Sequence, residues 1–462
     1  MRLRSIEIAF AIGATSTLVA TPAAAQPRSE QGVVEGEDLF AYSLHVETIG
    51  RLFRRAGYDA RGSLVEGGIA LPLYNFARLR IDDLDTPWGD DSVDVELGAW
   101  GNLNLAEAGP LQRLDGDVQV ARIRQRFDHG YVTLGRQVRG GGAARFVRFD
   151  GAQAAVHAPF GLGLETYGGF TVLPRWNQQP GYHLLGSAAE ELVRDPAVLQ
   201  APAREQHWLV GGRVYYTDDD VIDAGLSFHE QRADGGLARR TAGLDASYTP
   251  LDLFALTGRV LLDVDATEVP DLRAVLDLYP VDSVVLSASY QHLIPALMLS
   301  RQSVLSVFST SAFDEWGIDG QWRATSWLRV GGDAYLDRFE GGAFGHRAGG
   351  HLRVSNNGAI HTVARIGYRR VQEAINGYHQ LRASASLRPW PRAHLTADGF
   401  LYLYDEPISG VSSSVVGVIS GGYEVARYLE LLIATSLARS PYALTDVQST
   451  LRVEVDWEGE VR

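Results

Sequence analysis

The segment VQSTLRVEVDW (Val447–Trp457) decides the fold class. Its odd-numbered positions are valine, serine, leucine and tryptophan, whereas its even-numbered positions are Gln, Thr, Arg, Glu and Asp. Successive side chains of a β-strand point to opposite faces, so this alternation predicts a strand with one apolar and one polar face. A soluble sheet would bury the apolar face in a protein core, and a membrane barrel would turn it towards lipid. The segment alone does not separate these two alternatives.

Segments with the same alternation recur along the chain. Examples are SVDVELGAWGNLNL (92–105), SWLRVGGDAYLD (326–337) and HQLRASASLR (379–388). We count about 22 of them, each of roughly 9 to 13 residues, which is the length a tilted strand needs to cross a bilayer. No linker or change in composition divides the series, and this favours one large domain.

The connections between these segments provide a second signal. Short turn sequences such as DHG (128–130), TPLD (249–252) and PWPR (389–392) contain the residues that favour hairpin turns. They alternate with longer connections, of which 173–206 and 293–314 are the longest. Short turns at one end and long loops at the other are typical of a membrane barrel. We expect loop 173–206 to fold inward as a constriction or lid.

Aromatic residues and face composition separate the two alternatives. Tyr216, Tyr248 and Trp322 stand immediately before short turns, as in the aromatic girdle at a membrane interface. Many apolar faces consist of Ala, Gly and single Leu or Val residues, unlike the dense Ile, Val, Leu and Phe of a soluble core. The sequence therefore predicts an all-β fold, a single transmembrane antiparallel β-barrel of about 22 strands (range 18 to 24) without a plug domain.

The N-terminal residues MRLRSIEIAFAIGATSTLVATPAAAQ predict a secretory signal peptide. A basic start, a short apolar run and the small residues 23–25 fit cleavage after Ala25, and the run is too short for a membrane anchor. We predict a signal peptide at 1–25, a short periplasmic segment at 26–39, the barrel at 40–457 and a C-terminal tail at 458–462. This organisation implies an outer-membrane location.

Composition excludes several functions. The chain has 42 cationic residues, all of them arginine, against 56 acidic residues and no cysteine. A net charge of −14 argues against nucleic-acid binding, and the absence of cysteine excludes disulfides and thiolate metal sites. The common hydrolase, metalloprotease and P-loop motifs are missing. We therefore expect no enzyme activity, no catalytic residues, no metal and no cofactor.

Charged residues on the polar faces are the candidate functional residues. In ARIRQRF (121–127) three arginines share one face and could form a cationic ladder in the lumen. Such charges either select ions or polymers, or pair across strands and brace the wall, and both interpretations remain open. By the same parity, the predicted lumen-lining residues are Arg122, Arg124, Arg126, Arg213, Arg329, Arg353, Arg365, Arg369, Arg382, Asp333 and Asp337.

The whole pattern resembles Gram-negative outer-membrane β-barrels. One stretch, GYVTLGRQ (130–137) followed by RFDGAQAAV (148–156), resembles a hairpin of alginate-export-like porins. These resemblances imply contact with outer-membrane lipid, passage of a hydrophilic solute or polysaccharide, and a periplasmic partner if the protein exports polymer. The expected function is a polysaccharide export pore or porin. The alternative is a non-conducting structural or docking barrel of an envelope or surface machinery.

Overall fold

The structure is a computed structural model in which 22 antiparallel strands form one closed barrel. The predicted signal peptide (1–25), the segment 26–39 and loop 173–206 lie outside the described residues, so the expectations for them stay predictions. The described residues are 40–58, 64–85, 92–106, 114–172, 207–218, 221–233, 235–298, 312–356, 358, 360–373, 376–408, 410–441 and 443–461.

The alternating segments of the sequence form the strands of the wall. Short helical pieces occur at Gly142–Ala144, a single 3₁₀ turn, and at Pro295–Met298. No helix within the described ranges has the length and apolar character needed to span a bilayer. The strands are β1 (Phe40–Tyr58), β2 (Leu64–Ala70), β3 (Pro72–Asp85), β4 (Ser92–Asn104), β5 (Leu114–Phe127), β6 (Gly130–Gly141), β7 (Arg145–His157), β8 (Leu162–Thr171), β9 (His207–Asp218), β10 (Ile222–Ala233), β11 (Gly236–Leu251), β12 (Phe254–Asp263), β13 (Glu268–Val281), β14 (Val284–Leu293), β15 (Phe313–Arg323), β16 (Leu328–Phe339), β17 (Phe344–Asn356), β18 (His361–Gln372), β19 (Gly377–Trp390), β20 (Ala393–Ile408), β21 (Val411–Ala426), β22 (Leu429–Ser440) and β23 (Ala443–Val461).

Two of these segments are parts of one wall strand. Only Leu71 separates β2 from β3, and both pair with β1. The register of β3 continues into β2 as far as Arg54↔Ile69, beyond which a bulge shifts it by one residue. Every other strand pairs with its neighbours in sequence, and β1 pairs with β23 to close the wall. Closure satisfies the backbone hydrogen bonds of strands that would otherwise be exposed edges. The predicted count of about 22 strands is confirmed, and within the described residues no plug domain is present.

The predicted boundary at Trp457 is wrong. Strand β23 continues to Val461, and its last four residues pair with the first four of β1, from Phe40↔Val461 to Ser43↔Glu458. The alternation continues past Trp457, with Glu458 and Glu460 on the polar face and Gly459 and Val461 on the other, so the last aromatic residue did not mark the end of the strand. Residues 458–461 are therefore wall and not a tail.

The barrel has two distinguishable ends. Phe40 and Val461 lie at one end together with the short turns noted in the sequence, and we call this the turn end. The opposite end, the loop end, carries the two longest connections. It also carries connections of two residues at 234–235, 409–410 and 441–442. The expectation that every connection at this end is longer than those at the turn end is therefore wrong.

The apolar face of the strands points outward. On β9 the outer positions Trp208, Val210, Val214 and Tyr216 have relative exposures of 40 to 49%. Eight residues of strand span about 26 Å, close to the height of the apolar band of a membrane barrel before tilt is considered. Exposed aromatic residues mark the turn end at Tyr216, Tyr248, Trp322, Trp390, Tyr428 and Trp457. Others mark the loop end at Phe146, Phe170, Trp208 and Trp316.

Candidate functional site: the charged lumen wall

The inner face carries most of the charged residues, and the eleven residues predicted to line the lumen occupy the positions that alternate with the exposed apolar side chains. They do not share one environment. Some are paired with carboxylates on neighbouring strands, and others stand beside further arginines. This difference follows from register, because residues directly opposite each other on neighbouring strands point to the same face.

The predicted ladder on β5 is largely neutralised. Glu96 of β4, almost fully buried, binds both Arg78 of β3 and Arg122 of β5, with an Arg122 Nη2–Glu96 Oε2 distance of 2.6 Å. Arg126 pairs with Asp94 at 2.6 Å. We call these groups on β3–β5 the paired sector. Here the bracing interpretation describes the geometry, because each carboxylate lies between or beside guanidinium groups.

Arg124 has a different setting within the same sector. Its Nε donates a hydrogen bond to Thr133 Oγ1 at 3.1 Å, and its guanidinium carbon lies 4.5 Å from the centre of the Tyr131 ring. A cation over an aromatic face is stabilised by the ring quadrupole. Arg124 is therefore held along the wall by β6.

Most of the other predicted residues are also paired. Arg213 binds Asp245 and lies 3.2 Å from Asp223. The remaining pairs are Arg369–Asp333 at 2.9 Å, Arg382–Asp398 at 2.5 Å and Arg347–Asp337 at 3.9 Å.

Three predicted arginines form the clear exception. Arg329, Arg353 and Arg365 are directly opposite one another on β16, β17 and β18, and Arg323 of β15 extends the row. We call these four residues the arginine arc. All four are exposed, and within the described part of the chain none has a carboxylate within ion-pair distance. Arg323 Nη2 donates to the carbonyl oxygen of Asp282 at 2.7 Å.

The arginine arc is electrostatically unfavourable for the barrel itself. Like charges directly opposite each other on neighbouring strands destabilise a sheet. Strands are about 4.8 Å apart, so four guanidinium groups concentrate positive potential at one level near the turn end. Because bracing does not account for this row, it is the strongest candidate for a solute-binding surface.

A row of glutamates lies on another part of the wall. Glu424, Glu430, Glu454 and Glu47 are directly opposite one another on β21, β22, β23 and β1, and we call them the glutamate arc. Arg452 binds both Glu47 at 2.5 Å and Glu454 at 2.6 Å. The arc lies at the turn end, as the arginine arc does, and strands β19 and β20 separate the two. Charge of opposite sign thus occupies two separate parts of one mouth, each four strands wide.

The connection between β6 and β7 enters the lumen. This connection, residues 141–145, is here called the inward turn. The backbone N–H of Ala143 donates to Ser227 Oγ at 2.8 Å, and Thr241 Oγ1 donates to the carbonyl oxygen of Ala143 at 2.8 Å. Arg145 Nη2 lies 3.1 Å from Asp271 Oδ2. These contacts join β6–β7 to the inner faces of β10, β11 and β13, so the turn narrows the lumen.

Local sequence explains how the inward turn is possible. Gly141 and Gly142 adopt positive φ angles of 85° and 55°, which favour glycine. Beneath the turn lies a buried apolar cluster that includes Phe149, Tyr167 and Leu209. A cavity of about 430 Å³ lies beside the turn, with Arg145, Arg239, Arg259 and Asp271 in its lining. The segment RGGGAAR (139–145) thus forms a hairpin connection that is held in place, since its polar atoms and side chains have partners on distant strands.

Comparisons with known proteins find similarity in structure only. No family model matches, and no curated protein sequence matches. The structure of Acinetobacter baumannii OccAB4 has 7% identity and a TM-score of 0.43, covering 90% of this chain and 98% of that one. Pseudomonas aeruginosa OpdK with vanillate has 11% identity and a TM-score of 0.42, covering 90% and 99%. The P pilus usher (PapC) translocation pore has 8% identity and a TM-score of 0.43, covering 90% and 99%.

Two parts of this site were not predicted from the sequence. Arg323 was not among the predicted residues, although it completes the arginine arc, and the glutamate arc was not recognised as a row. Each of these residues occupies a position that the alternation assigns to the polar face of its strand, so the sequence does indicate the face on which it lies. Knowing which residues are opposite also requires the register between strands, and that signal is not present in any single segment.

Proposed function

We propose that this protein is an outer-membrane channel that passes small hydrophilic solutes and favours anions. The observation that carries the proposal is the arginine arc, four exposed arginines side by side on the inner face without carboxylate partners among the described residues. The closed barrel and its apolar outer band support insertion in a membrane. The lipid of that membrane is then a permanent partner of the outer face.

The preference for anions has an electrostatic origin. At about 8 Å in water one unit charge changes the energy of a passing ion by about 0.5 kcal/mol, roughly a twofold effect. Four aligned charges therefore change the preference between anions and cations several-fold, although salt screens part of this effect. Paired arginines contribute less to the field felt by a solute, because the adjacent carboxylate cancels most of it.

The test is the reversal potential of the purified barrel in a planar bilayer with a salt gradient. We expect stepwise conductance and an anion-selective wild type. Replacing Arg329, Arg353 and Arg365 with Gln together should lower the ratio of chloride to potassium permeability by about five- to tenfold. The matched control is Arg382→Gln combined with Asp398→Asn, which removes a whole ion pair without changing the net charge, and this control should keep wild-type selectivity.

The same purified barrel in a planar bilayer distinguishes this proposal from two other functions. Polysaccharide export is a second candidate, because aligned cations suit a polymer of acidic sugars as well as a small anion. Block of chloride current by uronic-acid oligomers, with block strengthening as the oligomer lengthens, would favour it. A barrel that inserts but does not conduct would contradict a channel and favour the structural or docking alternative.

A further inference from the structure

We propose that the barrel binds a divalent transition-metal ion, of the Zn²⁺ type, at the seam where it closes. The ligands are His45 of β1 and Glu454 and Asp456 of β23. Their ligand atoms all lie within 4.8 Å of one another, and they are the one group of three potential metal ligands found among the described residues. This proposal does not depend on the channel function.

The geometry brings ligands from both sides of the seam together. His45 is directly opposite Asp456, and their Nδ1 and Oδ1 atoms are 2.6 Å apart. Glu454 lies two positions along the same strand on the same face, and its Oε1 is 3.9 Å from His45 Nδ1. A Zn²⁺ ion binds nitrogen and oxygen at about 2.0–2.2 Å, so small rotations of these side chains suffice to place an ion between them. The ion would replace the His45–Asp456 hydrogen bond.

The glutamate arc places further carboxylates beside the three ligands. Glu454 belongs to the glutamate arc, with Glu430 and Glu47 directly opposite it on its two neighbouring strands. Arg452 is shared between two of these carboxylates. Because the remaining like charges repel one another, a bound divalent ion would relieve a repulsion that the wall itself leaves in place.

A second histidine extends the site across the wall. The ring of His394 on β20 lies directly over Gly422 of β21, where any Cβ would clash with it, and its Nδ1 is 3.5 Å from Glu430 Oε1. The absence of a side chain at Gly422 therefore allows an imidazole to cross one strand and approach the glutamate arc. A cavity of about 250 Å³ is lined by His394, Glu430, Glu454 and Asp456, and also by Arg388, Arg392 and Arg427. It leaves room for the water that completes a metal's coordination.

The donor set indicates the class of metal. Imidazole together with carboxylates suits Zn²⁺ and neighbouring first-row ions, whereas Ca²⁺ and Mg²⁺ prefer ligands that are all oxygen. An ion held by β1 and β23 would link the first and last strands of the wall. Binding would therefore stabilise the closed barrel, and it would also reduce the negative potential at the turn end.

The experiment measures Zn²⁺ binding to the full processed barrel, produced without a histidine tag and stripped with a chelator. Titration calorimetry should show saturable binding of one Zn²⁺ per chain, and Zn²⁺ should raise the thermal unfolding midpoint. His45→Ala and Asp456→Asn should each weaken binding by at least about tenfold. The matched control is His292→Ala. It removes a His–Asp contact of 2.8 Å that has no third ligand group within the described residues, and it should leave binding unchanged.

Each outcome decides for or against the site. The site is supported if His45→Ala and Asp456→Asn each bind Zn²⁺ about tenfold more weakly and the His292→Ala control is unchanged. Both variants must also fold, which is shown by the change in their gel migration on heating, as for the wild type. Asp456→Asn preserves shape, so it remains informative if His45→Ala fails to fold. Absence of saturable binding, equal affinity in wild type and Asp456→Asn, or equally strong competition by Ca²⁺ would each overturn the proposal. A failure here leaves the reversal-potential test of the channel unaffected.

Discussion

The paired sector on β3–β5 and the arginine arc on β15–β18 use the same residue on the same face of the same wall, but their environments are opposite. In the paired sector Glu96 is held between Arg78 and Arg122. In the arc, Arg353 has Arg329 on one side and Arg365 on the other. The difference lies in what register places opposite each arginine, and not in arginine content.

This contrast indicates how one barrel can combine stability with the solute recognition proposed above. Ion pairs in the paired sector join neighbouring strands and leave little charge for a solute. The arginine arc makes no such ion pairs between strands, so the positive charge of its guanidinium groups is not neutralised by carboxylates of the described residues. A count of lumenal arginines would therefore overestimate the positive surface, whereas the register identifies the part that faces solute unpaired.

The largest expected effect is the loss of a shared carboxylate in the paired sector. Glu96→Gln keeps the shape of the side chain but leaves Arg78 and Arg122 without their common partner. We expect the free energy of unfolding to fall by about 3 kcal/mol. Arg353→Gln is the matched comparison in the arc, and it should be neutral or stabilising by about 0.5 kcal/mol, because it removes a like charge.

Denaturant unfolding of both variants in the same lipid vesicles provides the measurement. If Glu96→Gln and Arg353→Gln lose stability equally, the two regions do not differ as described. If only Glu96→Gln is destabilised, the separation into a bracing region and a solute-facing region becomes sharper.

We expect a smaller loss of stability at the inward turn, which is held by a carboxylate shared between two arginines, as in the paired sector. Asp271, almost fully buried, lies 3.1 Å from Arg145 and 2.9 Å from Arg259. Asp271→Asn should weaken this attachment by about 2 kcal/mol and let the turn leave the lumen part of the time. Single-channel recording should then show higher mean conductance and additional gating steps.

The control for that measurement is Asp398→Asn, which weakens an ion pair of the wall outside the inward turn. It should leave the conductance steps of the wild type in place. An Asp271→Asn channel with unchanged conductance would mean that the inward turn does not set the width of the path.

Much of the fold could be predicted from the sequence because alternation is local. Each strand shows its two faces within about ten residues, and aromatic residues such as Trp322 mark where it leaves the membrane. The end of β23 was missed because the boundary was placed at Trp457, the last aromatic residue, although Glu458 and Glu460 continue the alternation on the polar face. Connection lengths were misjudged at 234–235 because Gly235 closes a turn as short as any at the opposite end.

The site was less predictable because the partners of each charged residue lie on other strands, far away along the chain. Parity placed Arg122 and Arg353 on the same face, but only register shows that one meets Glu96 and the other meets more arginine. The inward turn was missed for the same reason. Ser227 and Asp271, which hold it, are 84 and 126 positions away from their partners along the chain.

The central claim is that water contacts the polar face of these strands and lipid contacts the apolar face. The chain has no cysteine, so single-cysteine variants can test it without background labelling. Arg365→Cys and Ile366→Cys are adjacent on β18 and face opposite sides of the wall. In intact vesicles a charged, water-soluble thiol reagent should modify Arg365→Cys rapidly and leave Ile366→Cys unmodified until detergent is added. Rapid labelling of Ile366→Cys, or protection of Arg365→Cys, would contradict the account.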